Sequence, residues 1–312
     1  MAAAPESPDP CASARVRSRE CGPPGIVATM IAFFGMGLLG SNFVRALRRR
    51  GEDVHVWNRS PDKATALEAE GARAFADPAE AARGAVRVHL TLRDDAAVDD
   101  VLERARPGLA ANAVIVDHST TSTQGVLARI ARWRERGTTF VHAPVFMGPQ
   151  NARESTGIMM ISGPRGVVDP LRPVLAPMTG KLVDLGERPD AAAAFKLLGN
   201  LFLMCMTTGL AEMLALAKAL KVPPEQAASL FEQFNPGTTI APRIKRMVDA
   251  SFADPSWELT MARKDARLML DAAAEAGVPL AVLPAIAARM DAVIAEGHGA
   301  EDWTVIAKDA VR

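Results

Sequence analysis

A glycine pattern constrains the fold of this chain more than any other feature of its sequence. It reads Gly35-x-Gly37-x-x-Gly40 and lies between an apolar run at residues 31–34 and a segment with helical periodicity. The run predicts a buried strand, Gly35 permits a tight turn after it, and Gly37 lets the backbone approach a pyrophosphate. Gly40 lets the following helix lie close to the strand, and the free N–H groups at the start of that helix favour negative charge. The pattern predicts a dinucleotide-binding turn; the alternative is a glycine-rich turn in another kind of α/β unit. The cofactor-binding residues predicted in the turn are Gly35, Met36, Gly37, Leu38, Leu39 and Gly40.

The end of the second predicted strand, which covers residues 53–58, bears on the choice between NAD and NADP. In a dinucleotide-binding fold this strand end meets the adenosine ribose, and a carboxylate there selects NAD by bonding the 2′-hydroxyl. The chain has Asn58-Arg59-Ser60 instead, so no acid repels a 2′-phosphate and Arg59 offers a planar fork for it. We therefore predict that Asn58, Arg59 and Ser60 bind NADPH in preference to NADH, with Lys63 as a further donor. The alternative is that Arg59 and Lys63 are ordinary surface charges.

The charge balance and the cysteine count exclude several classes of protein. The 312 residues carry 36 Lys and Arg against 36 Asp and Glu, so nothing favours a nucleic acid or an anionic membrane surface as a partner. The three cysteines form neither a disulfide framework nor a metal-binding set, and the five histidines have no zinc-type spacing, so no metal site is predicted. This cysteine usage fits a reducing compartment, and we expect a cytoplasmic protein.

Changes in composition along the chain predict a tail and two domains. Residues 1–29 are rich in Ala, Pro, Ser and Arg without an apolar core, and we expect a disordered extension or a natural start at Met30. Strands and helices alternate over residues 30–188, which predicts a doubly wound, Rossmann-type sheet in an α/β domain. Residues 189–312 are predicted to be all helical, beginning with a long helix over residues 191–220 whose polar residues argue for a buried central helix and against a membrane span. Strands are expected at residues 31–34, 53–58, 86–92, 114–117, 139–145, 158–162 and 181–185, and short helices at 61–70 and 167–175.

Four motifs, in order, carry a resemblance to a known family. They are the glycine turn, Asp117-His118-Ser119-Thr120 after a predicted strand, Lys196-Leu197-Leu198-Gly199-Asn200 in the long helix, and Lys264-Asp265. From about Met30 to its C-terminus the chain resembles the β-hydroxyacid dehydrogenases, which include 3-hydroxyisobutyrate dehydrogenase and the glyoxylate/succinic semialdehyde reductases. The resemblance implies an NAD(P)-dependent oxidoreductase with a Rossmann domain, an all-helical domain that closes over the substrate, and a homodimer formed through the helical domain.

Lys196 and Asn200 are the predicted catalytic residues. They are four apart and therefore project from one face of a helix, where the next residues are largely apolar. Desolvation on such a face lowers a lysine pKa, which suits a donor of a proton to a carbonyl oxygen as hydride reaches the carbon. Asn200 can orient the lysine or the substrate oxygen. The alternative is a surface lysine whose stem covers apolar area, and the resemblance favours the catalytic interpretation.

Ser119 and Thr120 follow a predicted strand, at the edge where ligands gather in open α/β sheets. Their hydroxyls and backbone N–H groups can bind a substrate carboxylate; the alternative is capping of the next helix. The resemblance implies that Thr120 also faces the nicotinamide, that Leu92 lies beside the cofactor, and that Lys264 reaches the cofactor from the helical domain. Arg93 follows Leu92 where the family usually has proline.

The loop after Ala143-Pro144-Val145 departs from the family pattern. The family commonly has Ser-Gly-Gly there to hold the substrate carboxylate, whereas this chain has Phe146-Met147-Gly148. Imine reductases, relatives on the same fold, have an apolar loop with methionine at this place but usually lack the lysine. We therefore predict that Phe146, Met147 and Gly148 line a substrate pocket suited to a larger or less polar group.

These observations predict an NADPH-dependent oxidoreductase that interconverts a small aldehyde or keto acid and the corresponding hydroxy acid. Lys196 serves as general acid or base, and His118 and His142 are less favoured proton carriers. One alternative is a reductase of C=N bonds on the same fold, and another is a non-catalytic module that uses NADPH only as a ligand. The partners expected are a small-molecule substrate and a second copy of the chain, with no nucleic acid and no membrane.

Overall fold

The computed structural model describes residues 30–311. Within them the chain divides into two compact units, the first ending at Lys196 and the second beginning at Leu197. The predicted domain boundary after residue 188 stays a prediction. The expectation of a disordered tail or a natural start at Met30 concerns residues 1–29, which lie outside the described residues.

A parallel sheet forms the centre of the first unit. Its strands lie in the order β3-β2-β1-β4-β5-β6, which is the order of a doubly wound dinucleotide-binding sheet and confirms the predicted fold. The two-residue strand β3 was not predicted, because a segment so short carries no periodic signal. The six strands are β1 (Ile31–Phe34), β2 (Val54–Trp57), β3 (Arg73–Ala74), β4 (Arg87–Leu90), β5 (Val114–Asp117) and β6 (Thr139–His142).

A second, three-stranded sheet follows in the same unit. It consists of β7 (Val145–Phe146), β8 (Ile158–Ile161) and β9 (Lys181–Asp184), with β7 antiparallel and β9 parallel to β8. The prediction of one strand over residues 139–145 is therefore wrong, because the chain leaves the first sheet at Ala143 and enters the second at Val145. Pro144 lies between them and has no N–H to donate to a strand ladder, so it suits this change of sheet.

The helices of the first unit cover the faces of the sheets. The predicted helix over residues 61–70 is broken into α2 and a 3-10 turn at Glu68–Glu70, and that over 167–175 into α7, a 3-10 turn and α8. Pro170 and Pro173 cause the second break because neither can donate a helical hydrogen bond. The helices are α1 (Leu38–Arg49), α2 (Pro61–Thr65), α3 (Pro78–Ala82), α4 (Asp95–Ala105), α5 (Thr123–Glu135), α6 (Pro149–Glu154), α7 (Arg165–Val168) and α8 (Arg172–Leu175).

An apolar core lies on each face of the six-stranded sheet. Phe33 and Phe34 are neighbours in β1 and point to opposite faces, and each is fully buried in a different core cluster. Both faces of the sheet are thus occupied by packing. Polar chemistry is left to the residues that follow the carboxyl ends of the strands, among them Asn58, Thr91 and His118.

The second unit is helical, as predicted. Its small core is built mainly by α12 and α13 with the C-terminal 3-10 segment Trp303–Ala310. The buried carboxylate of Asp302 accepts hydrogen bonds from Ser256 and Thr304 and pairs with Arg246, which holds the end of the chain to these helices. The helices are α9 (Ala191–Ala219), which begins in the first unit, α10 (Pro224–Gln233), α11 (Ile240–Val248), α12 (Leu259–Glu275) and α13 (Leu283–Val293).

Helix α9 is long and apolar, and among the described residues it is the one helix whose length and composition would allow it to cross a membrane. Only 6% of the most apolar stretch of this helix is buried. The prediction that α9 is a buried central helix is therefore wrong for a single chain. Leu201 and Met204 are 61% and 66% exposed because the other helices of the second unit leave this surface uncovered. Glu212 of the same helix accepts three backbone hydrogen bonds from residues 281–283, at 2.6, 3.1 and 2.9 Å. These bonds make α9 part of the fold of the helical unit.

Candidate active site

The glycine turn after β1 has the geometry that close backbone approach requires. Gly35 has φ +95°, and a Cβ there would lie 2.2 Å from the carbonyl oxygen of Thr91. A Cβ on Gly40 would lie 2.0 Å from the carbonyl oxygen of Gly35. Gly37 is the extended N-cap of α1 and has no side chain to satisfy the free N–H groups of that helix, and a Cβ there would meet nothing within 4 Å. The open space at Gly37 and the free N–H groups fit a pyrophosphate.

Asn58 and Arg59 lie beside this turn, at the end of β2. The side-chain oxygen of Asn58 accepts the N–H of Met36 at 2.9 Å, and its amide donates to the carbonyl oxygen of Ser60 at 2.9 Å. Asn58 therefore joins the two loops, while the side chain of Met36 is buried in the core. A cavity of about 260 Å³ opens here, lined by Arg59, Ser60 and Lys63 together with Gly35 and Gly37.

A second cavity, of about 380 Å³, continues from the first along the carboxyl edge of the sheet. The two share Gly37, Thr91, Leu92 and Arg93, and the second extends to Leu38, Leu39, Gly40, Ser119 and Thr120. The predicted cofactor residues of the first unit thus line one continuous groove from Arg59 to Thr120. Met36 is the exception: its side chain is buried in the core and lines neither cavity, because only its backbone belongs to the turn. A groove with cations at one end and a helix N-terminus at its centre fits an NADP molecule.

Ser119 is held by internal hydrogen bonds. Its N–H donates to the Asp117 carboxylate at 2.9 Å, and its hydroxyl accepts the N–H of Leu92 at 2.8 Å. Its carbonyl oxygen accepts a hydrogen bond from Nε2 of His142 at 2.9 Å. The side chain is 3% exposed, whereas neighbouring Thr120 is exposed in the groove. Ser119 therefore positions Leu92 and the strand end, and its predicted contact with a substrate carboxylate stays a prediction.

Three buried histidines lie beneath this strand end. Nδ1 of His118 contacts the carbonyl oxygen of Ala143 at 2.7 Å, and its Nε2 contacts Nδ1 of His89 at 2.9 Å. Burial lowers the pKa of His118 and of His142 to about 4 in each case, although a backbone hydrogen bond opposes each shift. Burial also lowers the pKa of His89. Neutral imidazoles with fixed backbone partners serve to hold the loops, which agrees with ranking His118 and His142 below Lys196 as proton carriers.

These histidines predict a loss of stability in acid. Between about pH 6.5 and pH 4 the unfolded chain binds protons that buried His118 and His142 do not, so the free energy of unfolding should fall as pH falls, by about 1.4 kcal/mol per pH unit for each histidine. His142→Gln keeps a donor for the Ser119 carbonyl oxygen. It should reduce the change in the free energy of unfolding per pH unit by the contribution of one histidine. Urea unfolding of the wild type and the variant at several pH values in this range measures the difference. Equal slopes would contradict the assignment.

Lys196 lies at the start of α9, within the first unit. Its Nζ donates a hydrogen bond to the carbonyl oxygen of Val145 at 2.7 Å and lies 4.2 Å from the centre of the Phe146 ring. The side chain is partly buried, and this burial lowers the pKa of Lys196. A lysine held in this way is not a solvated surface charge; it is a fixed, partly desolvated ammonium beside the loop that was predicted to bind substrate. Its role as a proton donor stays a prediction.

Comparison with known proteins agrees with this geometry. Residues 30–186 match the NAD binding domain of 6-phosphogluconate dehydrogenase, and residues 191–309 match the NAD-binding domain of NADP-dependent 3-hydroxyisobutyrate dehydrogenase. The chain belongs to the β-hydroxyacid dehydrogenase family. It is an NAD(P)-dependent oxidoreductase, as the resemblance implied.

Individual members of the family and a solved structure show how far the similarity extends. The chain is 27% identical to 3-sulfolactaldehyde reductase of Escherichia coli over 283 residues, which is 88% of this chain and 94% of that protein. It is 29% identical to a probable 3-hydroxyisobutyrate dehydrogenase of Mycobacterium tuberculosis over 293 residues, 89% and 96% of the two chains. Its fold is similar to that of an imine reductase from Myxococcus stipitatus in complex with NADP+, with a TM-score of 0.83, 18% identity, and coverage of 89% and 98%. The last similarity concerns the fold alone.

The loop that departs from the family pattern is closed by its own hydrogen bonds. The N–H of Gly148 donates to the side-chain oxygen of Asn151 at 2.9 Å, at the start of α6. Phe146 and Met147 are partly buried, and Phe146 faces Lys196. The loop therefore presents an aromatic face and a thioether where the family usually has small hydrogen-bond donors.

Asn200 and Lys264, the other predicted residues, belong to the second unit. Asn200 lies one helical turn after Lys196 on α9, and it is partly buried. Lys264 of α12 forms an ion pair with Asp265 at 2.8 Å and is 45% exposed. Their roles stay predictions.

Sequence reasoning missed Asp100 and Arg104, which line the Arg59 cavity from α4. Arg104 lies 5.0 Å from the Trp57 ring centre and 3.8 Å from Asp100. Their helical spacing indicated a shared face, but only the fold shows that this face meets the end of β2.

Proposed function

We propose that this chain is an NADPH-dependent reductase that converts a small aldehyde or keto group to the alcohol, with Lys196 as the proton donor. The observation that carries the proposal is the fixed, partly buried ammonium of Lys196 beside the loop at Phe146. Members of the family act on related compounds by name, including 3-sulfolactaldehyde and 3-hydroxyisobutyrate.

The residues of the groove and of the Lys196 region divide the work of such a reaction. NADPH supplies the hydride when bound, and the groove from Arg59 to Thr120 would hold it. Lys196 gives a proton to the carbonyl oxygen and takes it back in the reverse direction. The carbonyl oxygen of Val145 keeps the ammonium in place. Asn200 follows one turn later on the same helix, and its proposed role is to orient the ammonium or the substrate oxygen.

NADPH absorbance in the presence of a panel of aldehydes and keto acids, including succinic semialdehyde and glyoxylate, tests the proposal. Oxidation that depends on both the carbonyl compound and Lys196 supports it and excludes a module that only binds NADPH. The absence of carbonyl-dependent oxidation across the panel would refute it.

A reductase of C=N bonds is the second candidate. The similarity of the fold to imine reductases and the apolar loop with Met147 favour it. A cyclic imine such as 1-pyrroline, assayed beside succinic semialdehyde with the same NADPH concentration, separates the two functions.

The preference for NADPH over NADH is proposed from the cations that line the adenosine end of the groove. Arg59 and Lys63 face the cavity there, with Arg104 on its other wall and Asp100 as the one acid among its lining residues. Arg59→Ala should raise KM for NADPH by about tenfold or more and leave KM for NADH nearly unchanged, because it removes a charge-assisted contact to the 2′-phosphate alone. Steady-state kinetics with both cofactors measure the change. An equal loss with NADH would contradict the assignment.

We also propose a homodimer in which a second copy covers α9. Leu198, Leu201 and Met204 are 63%, 61% and 66% exposed, more apolar surface than a monomer normally leaves in water. Sedimentation velocity should show a dimer for the wild type and a monomer for the Leu201→Glu, Met204→Glu double variant. Leu127→Glu, on the surface of α5 in the first unit, is the control and should remain dimeric. A monomeric wild type would contradict the proposal.

A cytoplasmic location is proposed from the cysteine usage, and the exposed free thiol of Cys205 supports it because such a thiol persists in a reducing compartment. Cell fractionation tests it.

A further inference from the structure

The substrate class can be narrowed from the hydrogen bonds around the candidate site, given the proposed function. A substrate carboxylate needs several donors, because a carboxylate that is taken out of water without them is strongly destabilised. Ser119 with Thr120 was predicted to supply such donors, and the loop of Phe146, Met147 and Gly148 stands where the family pattern usually has them. Both are described within the first unit.

Ser119 offers little to a substrate carboxylate, because its N–H is already used and its hydroxyl is buried. Its N–H donates to Asp117, and its hydroxyl, which accepts the N–H of Leu92, is 3% exposed. Asp117 is itself fully buried, so freeing the N–H of Ser119 would leave a buried carboxylate without its partner. Thr120 is left as the exposed residue at this strand end, and its hydroxyl and N–H, which are uncharged donors, serve a neutral oxygen as well as a charged one.

The loop offers few donors as well. The N–H of Gly148 is bonded to Asn151, and Phe146 and Met147 carry no side-chain donor. The ammonium of Lys196 has the Val145 carbonyl oxygen at 2.7 Å and the Phe146 ring at 4.2 Å around it. The loop thus surrounds the proton donor with a backbone acceptor and an aromatic face, neither of which attracts an anion.

Arg93 is the remaining cation beside this end of the groove in the first unit. Its Nε lies 2.7 Å from the Asp94 carboxylate, and the side chain is 76% exposed. A solvated arginine that is already paired adds little to the binding of a second carboxylate. Lys196 is then the charge that a carboxylate would have to share with the reacting oxygen.

We propose that the substrate of this site is an uncharged aldehyde or ketone with an apolar substituent that packs on Phe146 and Met147, and that the site selects against a substrate that carries a carboxylate. The apolar substituent gains from leaving water against the ring and the thioether. The inference rests on the proposed function, since it concerns the compound that Lys196 protonates.

A matched pair of substrates tests the inference. Methyl 4-oxobutanoate and succinic semialdehyde share the aldehyde and the chain, and they differ in the charge of the far carboxyl group. The ester should have a kcat/KM with NADPH at least about tenfold higher than that of the acid. An acid that is reduced as well as the ester, or better, would overturn the inference and leave the proposed function standing.

A double variant tests the cause of the selection. Phe146→Ser with Asn151→Ala adds a hydroxyl and frees the N–H of Gly148, and it should shift the ratio of kcat/KM about tenfold or more toward succinic semialdehyde. Phe146→Leu, the control, keeps the loop apolar and should keep the preference for the ester. An unchanged ratio in a folded double variant would overturn the assignment of these donors; if the double variant does not fold, the wild-type pair decides.

A binding measurement separates this inference from the proposed function. Isobutyramide and isobutyrate are similar in shape, and each can be titrated into the enzyme with NADPH present while nucleotide fluorescence is followed. Tighter binding of the amide supports the inference even if neither aldehyde is reduced, a result that would refute the proposed reaction alone. Tighter binding of isobutyrate would overturn the inference.

Discussion

Lys196→Ala should lower kcat for carbonyl reduction by about 10²- to 10⁴-fold, the range that a positioned general acid contributes. Lys196 is fixed by the Val145 carbonyl oxygen and by the Phe146 ring, and truncation to alanine removes this donor from its place beside the loop. The affinity for NADPH should remain close to that of the wild type, because the groove from Arg59 to Thr120 does not include Lys196. Stopped-flow measurement of NADPH oxidation and a separate nucleotide titration distinguish the two effects.

The pH profile gives a second readout for Lys196. Burial lowers the pKa of its ammonium. As the pH rises, the wild-type rate of reduction should therefore begin to fall at a pH below the ordinary pKa of lysine, because the ammonium loses its proton. This pH dependence should be absent in Lys196→Ala. Lys181→Ala, at an exposed lysine of β9, is the matched control and should leave kcat unchanged. A Lys196→Ala rate within a few-fold of wild type would remove this residue from the mechanism.

Alanine at Gly40 and alanine at Gly37 should have different consequences, although both glycines belong to one motif. A Cβ on Gly40 would lie 2.0 Å from the Gly35 carbonyl oxygen and 2.4 Å from the Thr91 hydroxyl oxygen. One of these contacts is backbone that cannot rotate away, so Gly40→Ala should destabilise the protein by about 1–3 kcal/mol and abolish NADPH binding. Thermal unfolding without nucleotide, followed by an NADPH titration, measures both.

Gly37→Ala is the matched comparison. Gly37 has φ −76°, which alanine adopts without strain, and a Cβ there meets nothing within 4 Å. The variant should therefore unfold at the wild-type temperature and still bind NADPH much more weakly, because the Cβ occupies the space through which the backbone reaches the pyrophosphate. Equal destabilisation by the two substitutions would show that the motif acts only through the fold.

The sequence predicted the features that depend on local patterns. The glycine turn and the apolar strands are short-range signals, and together they were enough to predict a doubly wound sheet. The change of sheet at Pro144 was missed because an apolar run continues across it, and only the pairing partners of Val145 reveal it.

The state of each donor could not be predicted, because it depends on contacts distant in sequence. From the sequence, the hydroxyl of Ser119 is expected to be free, but the fold brings the N–H of Leu92 to it. The N–H of Gly148 is likewise expected to be free in an open loop, but α6 places the side chain of Asn151 beside it. The exposure of α9 also depends on contacts distant in sequence. Its apolar residues indicate burial, but the sequence does not show which surface would cover them.

Lys196 donates its hydrogen bond to a main-chain carbonyl oxygen of β7, and this has a consequence for evolution and for engineering. A main-chain atom is present whatever residue occupies position 145, and strand β7 is anchored by its pairing with β8. Side chains at the neighbouring loop can therefore be exchanged to admit new compounds while the ammonium stays in place. Under the proposed role of Lys196, the substrate range could therefore change without loss of the proton donor.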